Sequence, residues 1–398
     1  MKYDLVFEGG GAKGMVLVGA YQEFVRRGHT YGRLLGTSAG AITAVLAAAG
    51  YTPAEMLDTL AERENGQPVF AGFMGDPPPF TQAEIKASAI RTLLRNINLR
   101  FLPDFAEERL DDTIAQMLAQ DPDSRHFFAF VERGGWYAAD RFITWLQAKL
   151  DSGSGPGGQR RFSQMTLAQF FEATQVDLSL VASDTSAGRL LVLNHHTAPD
   201  CPLVWAVRMS MSIPLVWDEV IWQTSWGEYL DRDLSGHAIV DGGMLSNFPL
   251  ELFISDQPQV TRLMGPKQNN PVLGMLIDES LPLPATRGLL VNIKVKPTEL
   301  RTVQRIMRLA NTATTAHDKM VIEAYSHLVV RLPAYGYGTT EFDMSDERRD
   351  ALVAAGRNAM AAYFDRPAVA SAGTRGIADA ESEGAQSSAD QIALRLLQ

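Results

Sequence analysis

Gly36-Thr37-Ser38-Ala39-Gly40 follows a short apolar run, Leu34-Leu35, and opens a stretch of small residues from Ala39 to Ala49. The expected order is strand, sharp turn, helix, with a serine at the turn. A serine held in so tight a bend exposes its hydroxyl. The glycines at 36 and 40 flank it because a Cβ at either position would clash there. The helix that follows aims its first N–H groups and the positive end of its dipole at the place where an oxyanion would develop.

Upstream, Tyr3 to Phe7 reads as a buried strand and Met15 to Arg27 as a helix, joined by Glu8-Gly9-Gly10-Gly11-Ala12-Lys13-Gly14. A strand feeding a glycine-rich turn and then a helix is an anion-binding arrangement. Gly9, Gly11 and Gly14 fit the dinucleotide fingerprint, which needs an acidic residue at the end of the next strand. That strand ends in Gly36-Thr37-Ser38, without a carboxylate. A phosphate loop needs Gly-Lys-Ser/Thr, and Gly14 is followed by Met15. A plain tight turn does not account for three consecutive glycines, each of which costs conformational entropy on ordering. An oxyanion hole of backbone N–H groups, from Gly10 and Gly11 with Ala12, accounts for a loop placed one helix before the serine.

Residues 51–150 read as mainly helical. Apolar stripes are expected at Ile85, Ala89, Leu93, Ile97, at Leu110, Ile114, Met117, Leu118, and at Phe142, Trp145, Leu146, Leu150. Residues 151–161, rich in glycine and serine, read as a flexible loop. Strands are expected at 178–182, 189–193, 238–240, 272–277, 289–293 and 327–332. A helix from about Thr298 carries Arg301, Arg305 and Arg308, and a final core helix is capped by Ser345. Residues 366–390 read as a disordered tail, with a short amphipathic helix from Gln391 to Gln398.

Ala238-Ile239-Val240 leads into Asp241-Gly242-Gly243, which leaves a carboxylate at a strand end, the edge where open parallel sheets gather catalysis. A nucleophilic serine needs a base. Of the seven histidines (29, 126, 195, 196, 237, 317, 327), none stands in a late loop suited to a triad. Asp241 is the better candidate. An aspartate is a weak base in water, near pKa 3.9, and a partly dry site that raises its pKa would make it workable.

Composition narrows the classes. Hydrophobic residues make up 46% of the 398, which suits a globular chain. A net charge of −10 argues against nucleic acid as the main partner. A single cysteine, Cys201, excludes an intrachain disulfide and fits a reducing compartment or equally a secreted protein without disulfides. Neither a signal peptide nor a transmembrane segment is read from the sequence, so a cytoplasmic or peripheral-membrane location is expected, with signal-independent export left open. No histidine or cysteine cluster with metal-ligand spacing is evident, so no metal or cofactor is expected.

Taken together, the sequence resembles the patatin-like phospholipase family. The glycine loop 9–14 looks like that family's oxyanion motif, Gly36 to Gly40 like its nucleophile elbow, and Asp241-Gly242-Gly243 with Asn247 and Pro249 like its aspartate motif. Met209-Ser210-Met211-Ser212-Ile213-Pro214 and Phe342 to Ser345 add weaker matches. The resemblance implies a three-layer α/β/α fold with a mainly parallel sheet over residues 1–365. It also implies a Ser38–Asp241 dyad that hydrolyses phospholipid or lysophospholipid esters through an acyl-serine, with peripheral membrane contact. Lys13 would hold the loop or meet a phosphate. The helical segment 60–150 maps onto no motif, and oligomeric state is left open. The alternatives are a transacylase using the same serine, or a lipid-binding protein without catalysis.

Overall fold

The computed structural model of the chain describes residues 1–96, 104–155, 157–283, 318, 320–366 and 383–397. The strand and arginine-bearing helix expected between residues 289 and 308 lie outside them, as do Ile97 and His317.

An eight-stranded sheet forms the centre. Its strands are β1 (Lys2–Phe7), β2 (Thr30–Thr37), β3 (Asp177–Asp184), β4 (Arg189–Leu193), β5 (Val220–Ile221), β6 (Ala238–Asp241), β7 (Val272–Asp278) and β8 (Val329–Pro333). The path runs β5-β6-β3-β2-β1-β7-β8, with β4 also on β3. The pairs β3-β2, β2-β1, β1-β7 and β7-β8 are parallel, and β4, β5 and β6 join antiparallel. Parallel strands covered on both faces read as continuous apolar runs, and Leu5, Val6, Phe7, Leu34 and Leu35 are fully buried. One charged pair enters this core: Arg33 donates to Asp4 through Nε at 2.7 Å, which ties β2 to β1.

Two helical layers sandwich the sheet. On one side α1 (Met15–Arg26) packs against both α2 (Ala39–Ala48) and the late helix Asp346–Phe364, whose N-cap is Ser345. This crossing is tight because a Cβ on Gly19 would sit 1.9 Å from the Val353 carbonyl oxygen, and one on Gly356 would sit 2.0 Å from that of Val16. On the other side, the short helices Glu251–Ile254 and Pro258–Met264 follow β6. The final helix, Glu383–Leu396, docks on the first of these, Glu251–Ile254, with Ala389 and Ala393 fully buried. That helix begins eight residues earlier than the sequence suggested, and Asp390 accepts a hydrogen bond from Ser255 at 2.6 Å. Residues 383–390 are therefore helical, with Ala389 and Asp390 docked, and are not disordered tail.

The segment between α2 and β3 holds α3 (Pro53–Leu60), α4 (Gln82–Ala87), α5 (Ala89–Asn96), α6 (Asp104–Gln120), α7 (Pro122–Glu132), α8 (Asp140–Leu150) and α9 (Leu167–Thr174). The single stripe expected through Ile85 and Leu93 is split. Ser88 is extended, at ψ 146°, and its hydroxyl accepts from Arg91 N–H to start a second helix. Leu93 is consequently 62% exposed. On α6 the buried positions are Ala115 and Ala119 instead of Met117. The α8 stripe is buried as expected. Residues 151–161, expected as a flexible loop, contain a small hairpin pairing Ser154–Gly155 with Gly158–Gln159. Buried Arg160 pins this hairpin by donating to the carbonyls of Ala49, Gly50 and Ser152. Five guanidinium donors in a fixed fork can satisfy several carbonyls at once, a role that loop composition does not reveal.

Candidate active site

The serine turn and the aspartate turn meet because of how β3 is shared. One edge of β3 carries β4 from Leu180 to Asp184. The other carries β2 as far as Thr37 opposite Val181, and then β6, running the opposite way, with Asp241 opposite Ala182. The two strands therefore end against one another on the same edge, and Ser38 and Asp241 face each other where they stop. The sequence pattern alone suggests a carboxylate at the end of a parallel strand. β6 is antiparallel, and its carboxylate arrives from the opposite direction along the same edge of β3.

Ser38 has φ 54° and ψ −120°, a conformation that few residues other than glycine adopt. Such strain persists only where the surroundings enforce it. Here a Cβ on Gly36 would lie 2.4 Å from the Gly40 carbonyl oxygen, and one on Gly40 would lie 2.2 Å from that of Phe7. The segment 209–214 holds both turns. Ser38 N–H donates to Ser210 Oγ at 3.0 Å, and Asp241 N–H donates to the Ser212 carbonyl at 2.9 Å.

Burial pushes the Asp241 carboxyl up to about 7, against smaller downward pulls from the Ser38 hydroxyl and the Gly243 N–H. Oδ1 accepts from Gly243 N–H at 2.8 Å, while Oδ2 has no hydrogen bond of regular geometry among the described residues. The Ser38 hydroxyl lies close enough to Asp241 to favour its charged form.

In the glycine loop, Gly11 has φ +55° and passes under the Thr339 carbonyl, 2.1 Å from where a Cβ would be. That carbonyl accepts the Ala12 N–H at 2.8 Å. Ala12, expected among the oxyanion donors, is therefore occupied by a residue far along the chain. Gly9 N–H is likewise donated to the Asn247 carbonyl at 3.4 Å, and Lys13 N–H to that of Gly10 at 3.2 Å. The N–H groups of Gly10 and Gly11 meet no acceptor among the described residues. Gly14 allows α2 to approach, since its Cβ would lie 2.4 Å from that of Ala39. Lys13 is buried and its Nζ pairs with Glu279, so it braces the loop against the chain after β7.

A polar network joins this loop to the aspartate turn. Asn247 Nδ2 donates to the Gly9 carbonyl at 2.8 Å, and Asn247 N–H and Ser246 Oγ donate to Asp318. Glu8 accepts from Ile277 N–H. Burial, with the Asp318 charge beside it, pushes the Glu8 carboxyl well above the usual range. A Cβ on Gly9 would strike Asn247 Oδ1 at 2.2 Å, and one on Gly243 would meet the same atom at 2.9 Å, so both glycines are needed for this close approach. On Gly242 it would meet the Val181 carbonyl oxygen at 2.6 Å. Sequence reasoning had no signal for Glu8 or Asp318. Buried acids sharing a loop are visible only once the chain is folded.

Two cavities open on Ser38. One, of about 60 Å³, is an apolar slot lined by Met15, Ile42, Leu46, Leu60, Phe70, Phe73, Trp145, Trp217 and Phe342. The other, of about 920 Å³, is a wide polar mouth that also reaches Asp241, Gly10, Gly11 and Lys13. The slot takes Phe70, Phe73 and Trp145 from the segment that matched no motif. Among the described residues no histidine lines either cavity. His237 instead pairs with Asp184 at 2.9 Å. The arrangement offers a hydroxyl beside a carboxylate that titrates near neutrality, two unpaired N–H groups, an apolar slot and a polar mouth.

Comparison with known proteins finds the following similarities. The family model of patatin-like phospholipases matches residues 5–254. The chain is 27% identical over 364 residues to the protein YqhO of Bacillus subtilis (strain 168), covering 90% of this chain and 96% of that one. Among solved structures it is similar to VipD from Legionella pneumophila, with 16% identity and a TM-score of 0.44 over 91% of this chain and 66% of that one. ExoU of Pseudomonas aeruginosa, solved with SpcU, gives 17% identity and a TM-score of 0.35 over 92% of this chain and 53% of that one. The chain thus spans about two thirds of the VipD chain and about half of ExoU.

Proposed function

The chain belongs to the patatin-like phospholipase family of lipid hydrolases, and on that basis we propose that it releases fatty acids from phospholipids or lysophospholipids, with Ser38 as nucleophile and Asp241 as base. Ser38 Oγ attacks the ester carbonyl and its proton passes to Asp241. The carbonyl oxygen gains negative charge and accepts hydrogen bonds from the Gly10 and Gly11 N–H groups. The ester C–O bond breaks, and the leaving alcohol takes the proton from Asp241. Water then attacks the acyl-serine, gives its proton to Asp241, and the fatty acid leaves as Ser38 recovers its hydrogen.

The observation that carries this reading is the end-to-end meeting of β2 and β6, with a carboxyl near pKa 7 beside a strained serine. A general base works best when its pKa lies near the operating pH. The apolar slot suits an acyl chain and the polar mouth a headgroup. We take residues 1–365 as one acyl-hydrolase unit that includes the helical segment, working in peripheral contact with a lipid surface. No helix among the described residues is long and apolar enough to cross a membrane.

The test is fatty-acid release from mixed phospholipid vesicles. Ser38→Ala is expected to fall to the background rate and Asp241→Asn to lose about 10²–10⁴-fold, with circular dichroism unchanged. Release that survives Asp241→Asn would mean that another group takes the serine proton.

A further inference from the structure

The far end of the sheet carries a second cluster of chemistry-bearing side chains. Asp177, the first residue of β3, and His195 and His196, in the turn after β4, each offer one ligand atom, and these atoms lie within 4.8 Å of one another. Asp177 pairs in register with Arg33 on β2, five residues before Ser38. At about 3.3 Å per residue, the cluster lies roughly 16 Å from the serine. It has no part in the chemistry proposed there.

The backbone that presents these groups is rigid. Asn194 is fully buried, and its Oδ1 accepts from the N–H groups of His196 and Thr197 at 2.9 and 3.1 Å. Its Nδ2 donates to Ser179 Oγ at 3.0 Å and to the Leu263 carbonyl at 2.8 Å. One asparagine thus fixes the histidine turn to β3 and to the helix Pro258–Met264. The His195 ring lies flat on Phe171 of α9, with centroids 3.7 Å apart and planes 2° apart, and its Nδ1 points at Asp177 Oδ1 from 4.0 Å. Neither imidazole makes a regular hydrogen bond through a ring nitrogen among the described residues. Arg33, paired in register with Asp177, is bound to Asp4.

We propose that Asp177, His195 and His196 form a divalent transition-metal site, suited to Zn²⁺, with water completing the shell. Two imidazoles and a carboxylate are ligands for zinc-like ions, not for Mg²⁺ or Ca²⁺, which take oxygen shells. With bonds of about 2.0–2.2 Å, tetrahedral ligand atoms sit roughly 3.3–3.5 Å apart, so the cluster closes on an ion by movements on the order of 1 Å. His196 is exposed and free to make that adjustment. The ion would clamp the start of β3 to the turn after β4, a structural role at the end of the sheet away from Ser38.

The experiment is titration of the full chain, stripped with chelator, with ZnCl₂ by calorimetry and with CoCl₂ by visible absorption. The expected result is one ion per chain, bound at micromolar concentration or below, a rise in Tm with Zn²⁺, and a Co²⁺ spectrum of low coordination number. His196→Ala and Asp177→Asn should each weaken binding by at least about tenfold, while His237→Ala, on the separate Asp184 pair, should leave it unchanged. The exposed position of His196 keeps folding intact, so that variant decides. Equal binding in His196→Ala, or no saturable binding below about 100 µM ion, overturns the site.

Discussion

Asp241 is the residue on which the chemistry turns, and its environment sets its proton affinity. Its pKa rises from 3.8 to about 7 because burial disfavours the charge more than Ser38 and Gly243 favour it. Under the proposed mechanism the active form is the carboxylate. The kcat/KM for a soluble acyl ester is therefore expected to climb about tenfold per pH unit below pH 7 and to level off above it, measured from pH 5 to 9. The same shift acts on stability. A raised folded-state pKa gives stabilisation that is fully present below the unfolded value and is lost as pH rises through about 7. At pH 8 the wild type must hold a buried carboxylate, and Asp241→Asn relieves it. The variant should be more stable at pH 8 by roughly 2–4 kcal/mol, the lower end reflecting the wide cavity that Asp241 faces, and no more stable near pH 4. Urea unfolding at the two pH values checks this, and a variant less stable at pH 8 would contradict the assigned burial cost.

Among the elements, the helix crossing behind the glycine loop is the most constrained. Gly19 on α1 and Gly356 on the helix Asp346–Phe364 each lie so close to a carbonyl of the other helix that an added Cβ would sit 1.9 and 2.0 Å from its oxygen. A methyl at either site cannot be absorbed by a side-chain rotation, because backbone meets it. Gly356→Ala is expected to destabilise the chain by about 1–3 kcal/mol or more as the helices part, despite the better helix propensity of alanine. Asn358→Ala, exposed on the same helix, should stay within about 0.5 kcal/mol. Denaturant midpoints separate the two. α1 also starts from the loop that presents Gly10 and Gly11, so parting the helices should lower the rate of ester cleavage at temperatures where the variant is still folded.

At the scale of the whole molecule, four distant segments converge on Ser38. The slot takes Leu60, Phe70 and Phe73 from the region after α2, Trp145 from α8, Trp217 from before β5, and Phe342 from the entry to the late helix. Its volume, about 60 Å³, leaves little spare room. Leu60, half-buried at the slot wall, is a position where added bulk fills space without replacing a core residue. Leu60→Trp should lower activity on palmitoyl esters relative to butyryl esters by about tenfold, equivalent to about 1.4 kcal/mol. Parallel assays on the two nitrophenyl esters measure the ratio. An unchanged ratio would mean that the acyl chain lies elsewhere, with the polar mouth as the other opening on Ser38.

The sequence alone determined the local pieces: a serine between Gly36 and Gly40, a glycine loop at 9–14, a carboxylate before Gly242, and the Ser345 cap. These are legible because they rest on sterics and hydrogen bonds within a few residues, where a missing Cβ or a capping oxygen leaves a fixed mark. It also indicated that Asp241 needs a raised pKa to act. Tertiary structure decided the rest. β6 runs antiparallel into the end of β2, Ala12 N–H is taken by Thr339, residues 151–161 are pinned by Arg160, and Asp177 meets two histidines. Each of these joins residues far apart in the chain, so each depends on which surfaces pack together. Burial, which moves the Asp241 and Glu8 carboxyls upward, exists only after that packing has excluded water.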